Sequence, residues 1–209
     1  MGVGTGEPAQ QITFRRELAR KATHMGALII PIGYYVLNLQ KWSMFVIMLV
    51  ASVLMLAIDI SRLRNWILWS GFVKRLIAPI VRVHEEAGDF TGATYLLLSA
   101  CVTVALYDRP VVIAALAFII VGDSFAAVIG RRFGVHRFRN KSIEGSLACL
   151  VGTILVALLV PDLPLSVAIP GAFIATVIEA FPMGVDDNVS VPVLSGLSMA
   201  LLQKMCAFG

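Results

Sequence analysis

Charge is scarce in this chain: Asp, Glu, Lys and Arg make up 14% of its 209 residues, against about 25% in an average soluble domain. Cysteine and histidine are scarcer still, with three of each. Cys101, Cys149 and Cys206 each lie within an apolar run and share no CxxC or Cys/His spacing. That pattern excludes a zinc ribbon or a disulfide framework and leaves packed thiols. Also missing is a small-residue cleavage site after Leu37, where basic residues ahead of a short apolar stretch superficially imitate a signal peptide. The run continues through Asn38, Gln40 and Lys41, so the segment is expected to be retained.

What is abundant is apolar surface. Hydrophobic residues account for 58% of the chain and its mean hydropathy is +0.87, well above the about 45–50% of soluble domains. The expected fold is an all-α polytopic integral membrane helix bundle in a single domain, 1–209. Its spans read as 22–39, 42–59, 91–107, 111–130, 145–160, 164–181 and 189–206, about seven in all. Met1 to Gln11 is polar and Gly-rich and is expected to be loose. Between Ser61 and Val83, Trp66, Trp69, Phe72, Val73, Leu76, Ile77, Ile80 and Val81 recur at three- and four-residue steps. This predicts an interfacial amphipathic helix over 62–83.

The pI of about 9.2 does not indicate nucleic acid, because the basic residues fall in blocks between alternate spans. Of the 17 Lys and Arg, only Lys41, Arg109 and Lys204 fall on the opposite side from the rest. The positive-inside rule then places the amino terminus and the loop at 131–144 in the cytoplasm. Trp42 and Asp59 read as the two ends of the second span, and Thr91 or Asp89 as the N-cap of the next.

Ionisable groups inside apolar runs are expensive, and each asks for a partner. Asp123 lies eight residues before Arg131, about 12 Å along a helix. Gly122, Ala126, Gly130 and Gly134 recur beside it at four-residue spacing, a stripe suited to close helix contact within or between subunits, so a homo-oligomer is compatible. The loop that follows carries Arg131, Arg132, Arg137, Arg139 and Lys141 into a helix starting near Ser142 to Gly145, which suits an anion. Glu144 in that first turn either complements the dipole, holds a metal or orients Lys141. Near the amino terminus Arg20 and His24 share a helix face with Lys21 beside them, serving either as membrane anchor or as a cradle for phosphates. Glu179 is a further acid in an apolar run. Asp186, Asp187 and Asn188 open the last span, either as caps or as oxygen ligands for Mg²⁺.

Taken together, RKATH at 20–24, FTGATY at 90–95, GDSFAAVIGRRFG at 122–134, NKSIEGS at 140–146 and DDNVSVPVLSG at 186–196 resemble the CTP-dependent lipid kinases. That family includes dolichol kinases, phytol or prenol kinases and CTP-dependent diacylglycerol kinases. The middle block is also similar to phosphatidate cytidylyltransferases. Their Lys-Asp-Phe-Gly and Gly-His-Gly-Gly segments are missing here, and a short PMGVDDN joins the last two spans instead.

The resemblance implies transfer of the γ-phosphoryl of CTP, with Mg²⁺, to the hydroxyl of a membrane lipid at the cytoplasmic face. It implies catalytic roles for Asp123, Lys141, Asp187 and His24. Nucleotide contacts fall to Lys21, Arg20, Arg131, Lys141, Ser142, Glu144, Gly145 and Ser146, and metal contacts to Asp123, Asp187, Asn188 and Glu144. The competing readings are nucleotidyl transfer from CTP and a non-enzymatic transporter.

Overall fold

The computed structural model describes residues 14–66, 71, 88–139, 141–181 and 184–207. Most of the expected amphipathic helix at 62–83, and all of Met1 to Gln11, lie outside them. The described elements are α1 (Phe14–Gly26), α2 (Ile29–Val36), α3 (Lys41–Leu63), α4 (Gly92–Leu106), α5 (Arg109–Phe133), β1 (Arg137–Phe138), β2 (Lys141–Ser142), α6 (Ile143–Leu159), α7 (Leu165–Ala180) and α8 (Asp187–Ala207). The result is an all-α membrane bundle with one two-residue hairpin. Among the described residues three helices, α3, α5 and α8, are long and apolar enough to cross a membrane; α4, α6 and α7 are shorter apolar helices.

The expected first span divides into α1 and α2, and Pro31 supplies the cause. It offers no N–H to the Ala27 carbonyl one turn back, and its ring crowds that carbonyl. Ile30 N–H takes the Ala27 carbonyl instead at 2.9 Å, while Ala27 and Leu28 donate to His24 and Met25 at 3.0 Å. These are three-residue turns in place of four-residue ones.

Helix α5 is the axis of the bundle, packed on α1, α2, α4, α6, α7 and α8. Its apolar stretch is 61% buried, against 22% for α3. Val46, Ile47, Val50, Val53 and Leu54 of α3 are exposed, as a lipid-facing helix requires; water-soluble monomers rarely expose such a patch. The small-residue stripe is used inside the chain, where α5 meets α6. A Cβ on Gly122 would lie 2.9 Å from Cys149 Sγ, and one on Gly145 would lie 2.9 Å from the Ala126 carbonyl. Backbones this close leave room for hydrogen only.

Asp59 does not close its span in water. It is fully buried in α3, where its Oδ2 accepts from Thr91 N–H at 2.8 Å, Thr91 Oγ1 at 2.9 Å and Thr94 Oγ1 at 2.6 Å, and its Oδ1 from Arg62 Nε at 3.1 Å. Thr91 is the N-cap of α4; the Asp89 carbonyl instead accepts from Arg62 at 2.5 Å. Asp59→Ala removes the charge that holds α3 to α4 and, with it, the carboxylate oxygen that accepts from the buried Arg62. It is expected to destabilise the protein by about 3–5 kcal/mol, read as a lowered thermal midpoint in detergent.

Candidate active site

Lys21 and His24 are three residues apart on α1, so both point from one face, and that face packs on α5. Lys21 Nζ donates to Asp123 Oδ2, and His24 Nε2 lies 3.6 Å from the same oxygen. Arg20 adds its positive charge to those acting on Asp123. The lysine side chain is 3% exposed and the aspartate side chain 18%. The expected intramembrane acid therefore has its partner on the first helix, 102 residues away in sequence.

Lys141 is delivered by the hairpin, a feature with no signal in the hydropathy pattern. Phe138 pairs with Lys141 and Arg137 with Ser142 in an antiparallel ladder, which the Ile143 N–H extends by donating to the His136 carbonyl at 3.0 Å. From this strand Lys141 Nζ donates to Glu179 Oε1 at 2.5 Å and Asp187 Oδ2 at 2.9 Å. Burial pulls the lysine pKa down, but the two carboxylates raise it more, so the net shift is upward and the amine stays an ammonium. Asp123 lies within electrostatic reach of both Glu179 and Asp187. The site is thus two lysine–carboxylate groups, side by side at the end of the bundle where α1, α7 and α8 meet α5 and the hairpin.

Ser142 caps α6, its Oγ accepting from Gly145 N–H at 3.1 Å. Ser146 Oγ is buried with no partner among the described residues, and Arg131 lies exposed on the last turn of α5. Glu144 is engaged elsewhere. Its Oε1 accepts from His136 N–H at 3.1 Å and lies 2.8 Å from His136 Nδ1, so it braces the hairpin and does not orient Lys141. Local pairing eight residues back uses the carboxylate that sequence position offers to a metal.

Among the described residues no group of three or more His, Cys, Asp or Glu is arranged to hold a metal ion. Yet Asp187 Oδ1, Asn188 Oδ1 and Glu179 Oε2 are buried oxygens with no partner among them. Orphaned buried acceptors are rare; two of these belong to the carboxylates that Lys141 joins and the third to the residue after Asp187, hard oxygen donors of the kind a divalent cation takes. Mg²⁺ needs no complete protein cage: it is bound through one or two carboxylates, waters and substrate phosphates. Glu179, 3% exposed, is the participant that the sequence flags only as a costly acid. Its partner is 38 residues away, and no local spacing reveals the pairing.

No family model matches the chain, and no solved structure does. An uncharacterized protein of Rickettsia prowazekii is 26% identical over 90% of this chain and 95% of its own length. A probable chloroplastic phytol kinase of Oryza sativa subsp. japonica is 30% identical over 61% of this chain, and the match covers 47% of the rice protein. The CTP-dependent diacylglycerol kinase 1 of Saccharomyces cerevisiae is 25% identical over 91% of this chain and 74% of its own. The chain thus spans about half the length of the rice and wheat phytol kinases it matches. The resemblance read from the motifs is borne out by these relatives.

Proposed function

We propose that this chain is a CTP-dependent lipid kinase, transferring the γ-phosphoryl of CTP to the hydroxyl of a membrane lipid on the cytoplasmic side. One observation carries the reading: residues 38 to 102 positions apart bring two lysines onto three acids at one end of an apolar bundle. Phosphoryl transfer asks a protein for alignment and charge neutralisation more than for covalent chemistry, and this set supplies both.

Asp187, Asn188 and Glu179 would hold Mg²⁺, with Asp123 near them; the ion would supply charge neutralisation for the transferring phosphoryl group. Lys141 neutralises the carboxylates until the nucleotide arrives and then faces its phosphates, as do Lys21, Arg20 and Arg131. Ser146 donates to a phosphate oxygen. The lipid oxygen forms a bond to the γ-phosphorus as the bridging P–O bond breaks, and CDP leaves with that electron pair. The hydroxyl proton passes to the Asp123–His24 pair, late in a loose transition state.

Incubation of the purified protein with CTP labelled on the γ-phosphate, Mg²⁺ and a panel of prenols and diacylglycerol is expected to give labelled lipid phosphate and CDP. Release of pyrophosphate with a cytidylyl-lipid would identify nucleotidyl transfer instead. No CTP turnover in detergent or in vesicles would end the kinase reading.

A further inference from the structure

Asp186 stands immediately before α8 and holds its first turn from two sides. Its carbonyl accepts from the N–H of Val189 at 2.9 Å and of Ser190 at 3.1 Å. Its Oδ1 accepts from the Asn188 N–H at 2.9 Å, which makes Asp186 the N-cap. The same oxygen accepts from Asn188 Nδ2 at 2.8 Å, a contact that capping does not require.

A carboxylate only accepts hydrogen bonds, so the half of the Asn188 amide turned to Asp186 is its nitrogen. The oxygen is left over: Asn188 is 4% exposed, and its Oδ1 is buried with no partner among the described residues. A buried acceptor in that state is costly. Asp187 and Glu179 each carry a buried oxygen in the same condition, while their other oxygens take Lys141.

We propose that Asp186 is a positioning residue: by holding the amide nitrogen it keeps the Asn188 oxygen committed, together with the free oxygen of Asp187, to a divalent cation. The two adjacent acids then have different tasks, Asp187 as a ligand and Asp186 as the group that orients a ligand. Without Asp186 the Asn188 amide is released to its roughly two-fold torsion, and half of its orientations turn a nitrogen to the cation. This role rests on the cation site of the kinase reading and is independent of the acceptor lipid.

The test titrates Mn²⁺ into the purified full-length protein in detergent, without nucleotide, and reads the unbound ion by EPR. Asp186→Ala is expected to weaken binding by about 10–100-fold, the range for losing a partner that orients a metal ligand. Asp186→Asn removes the charge and keeps an acceptor; it is expected to stay within about fivefold of wild type, the scale of one charge acting through water. Asp186→Ser keeps a helix cap but offers the side-chain amide no carboxylate, so it is expected to follow Asp186→Ala in Mn²⁺ affinity while holding the wild-type thermal midpoint. Equal weakening in Asp186→Ala and Asp186→Asn would assign the effect to charge alone, and wild-type affinity in Asp186→Ser would reduce Asp186 to a cap. Either result overturns the proposal, as does a wild-type protein that binds no Mn²⁺.

In turnover, Asp186→Ser is expected to raise the half-saturating Mg²⁺ concentration by the same factor, with kcat recovered at saturating metal. Mn²⁺ binding that depends on Asp186 in a protein without CTP turnover would defeat the kinase reading and leave this role standing. CTP turnover with unchanged Mg²⁺ dependence in Asp186→Ser would do the reverse.

Discussion

Asp123→Asn is expected to lower turnover of CTP by about 10²–10⁴-fold, the range for removing a positioned proton acceptor, while the protein remains folded and membrane-embedded. Asparagine keeps the shape and can still accept from Lys21, so α1 stays seated on α5, although loss of the carboxylate facing that buried ammonium is expected to lower the thermal midpoint. What disappears is the negative charge that balances Lys21 and Arg20 and that, in the proposed mechanism, receives the hydroxyl proton together with His24 3.6 Å away. Steady-state kinetics beside size-exclusion profiles in detergent make the measurement. Glu144→Gln is the informative companion: with its carboxylate engaged by His136, it is expected to lose far less activity. Retention of more than about a tenth of wild-type turnover in Asp123→Asn, well short of the loss expected for a proton acceptor, would remove this residue from the chemistry.

Lys141→Met is the second large effect, and it falls on stability as well as rate. Methionine fills similar volume but leaves Glu179 and Asp187 facing each other without their ammonium. Breaking a buried pair in this way costs about 3–5 kcal/mol. The lower end applies here, because the Lys141 and Asp187 side chains are each 23% exposed and reach some water. Adding Glu179→Gln removes one of the two stranded charges, so the double variant is expected to melt above Lys141→Met alone. A double variant that melts at or below the single one would show that the stranded carboxylate is not what destabilises it. Turnover is expected to remain lost in both, since neither restores a cation for the phosphates.

The bundle was legible because its signals are local. Apolar runs mark the helices, and the step of four from Gly122 to Gly134 announces a helix contact that the structure places between α5 and α6. Asp123 stands out as an acid inside an apolar run, Lys141 as a member of the basic loop and Asp187 as part of the acidic opening of the last span. Pairings are less visible. Thr91 and Thr94 look like ordinary residues of a helix start, and only the fold brings Asp59, some thirty residues earlier, into contact with them. The chain contains a Glu144 that is well placed for a metal and a His136 that takes it first. Glu179 presents the converse case, an acid without a visible partner until the hairpin swings Lys141 onto it.

The break that Pro31 imposes between α1 and α2 has a mechanical consequence. The three-residue turns at 24–30 replace the four-residue ladder, so α1 and α2 are not one continuous rod. Lys21 and His24 ride on the α1 side of that joint, and what seats them is the packing of α1 on α5 together with the ion pair to Asp123.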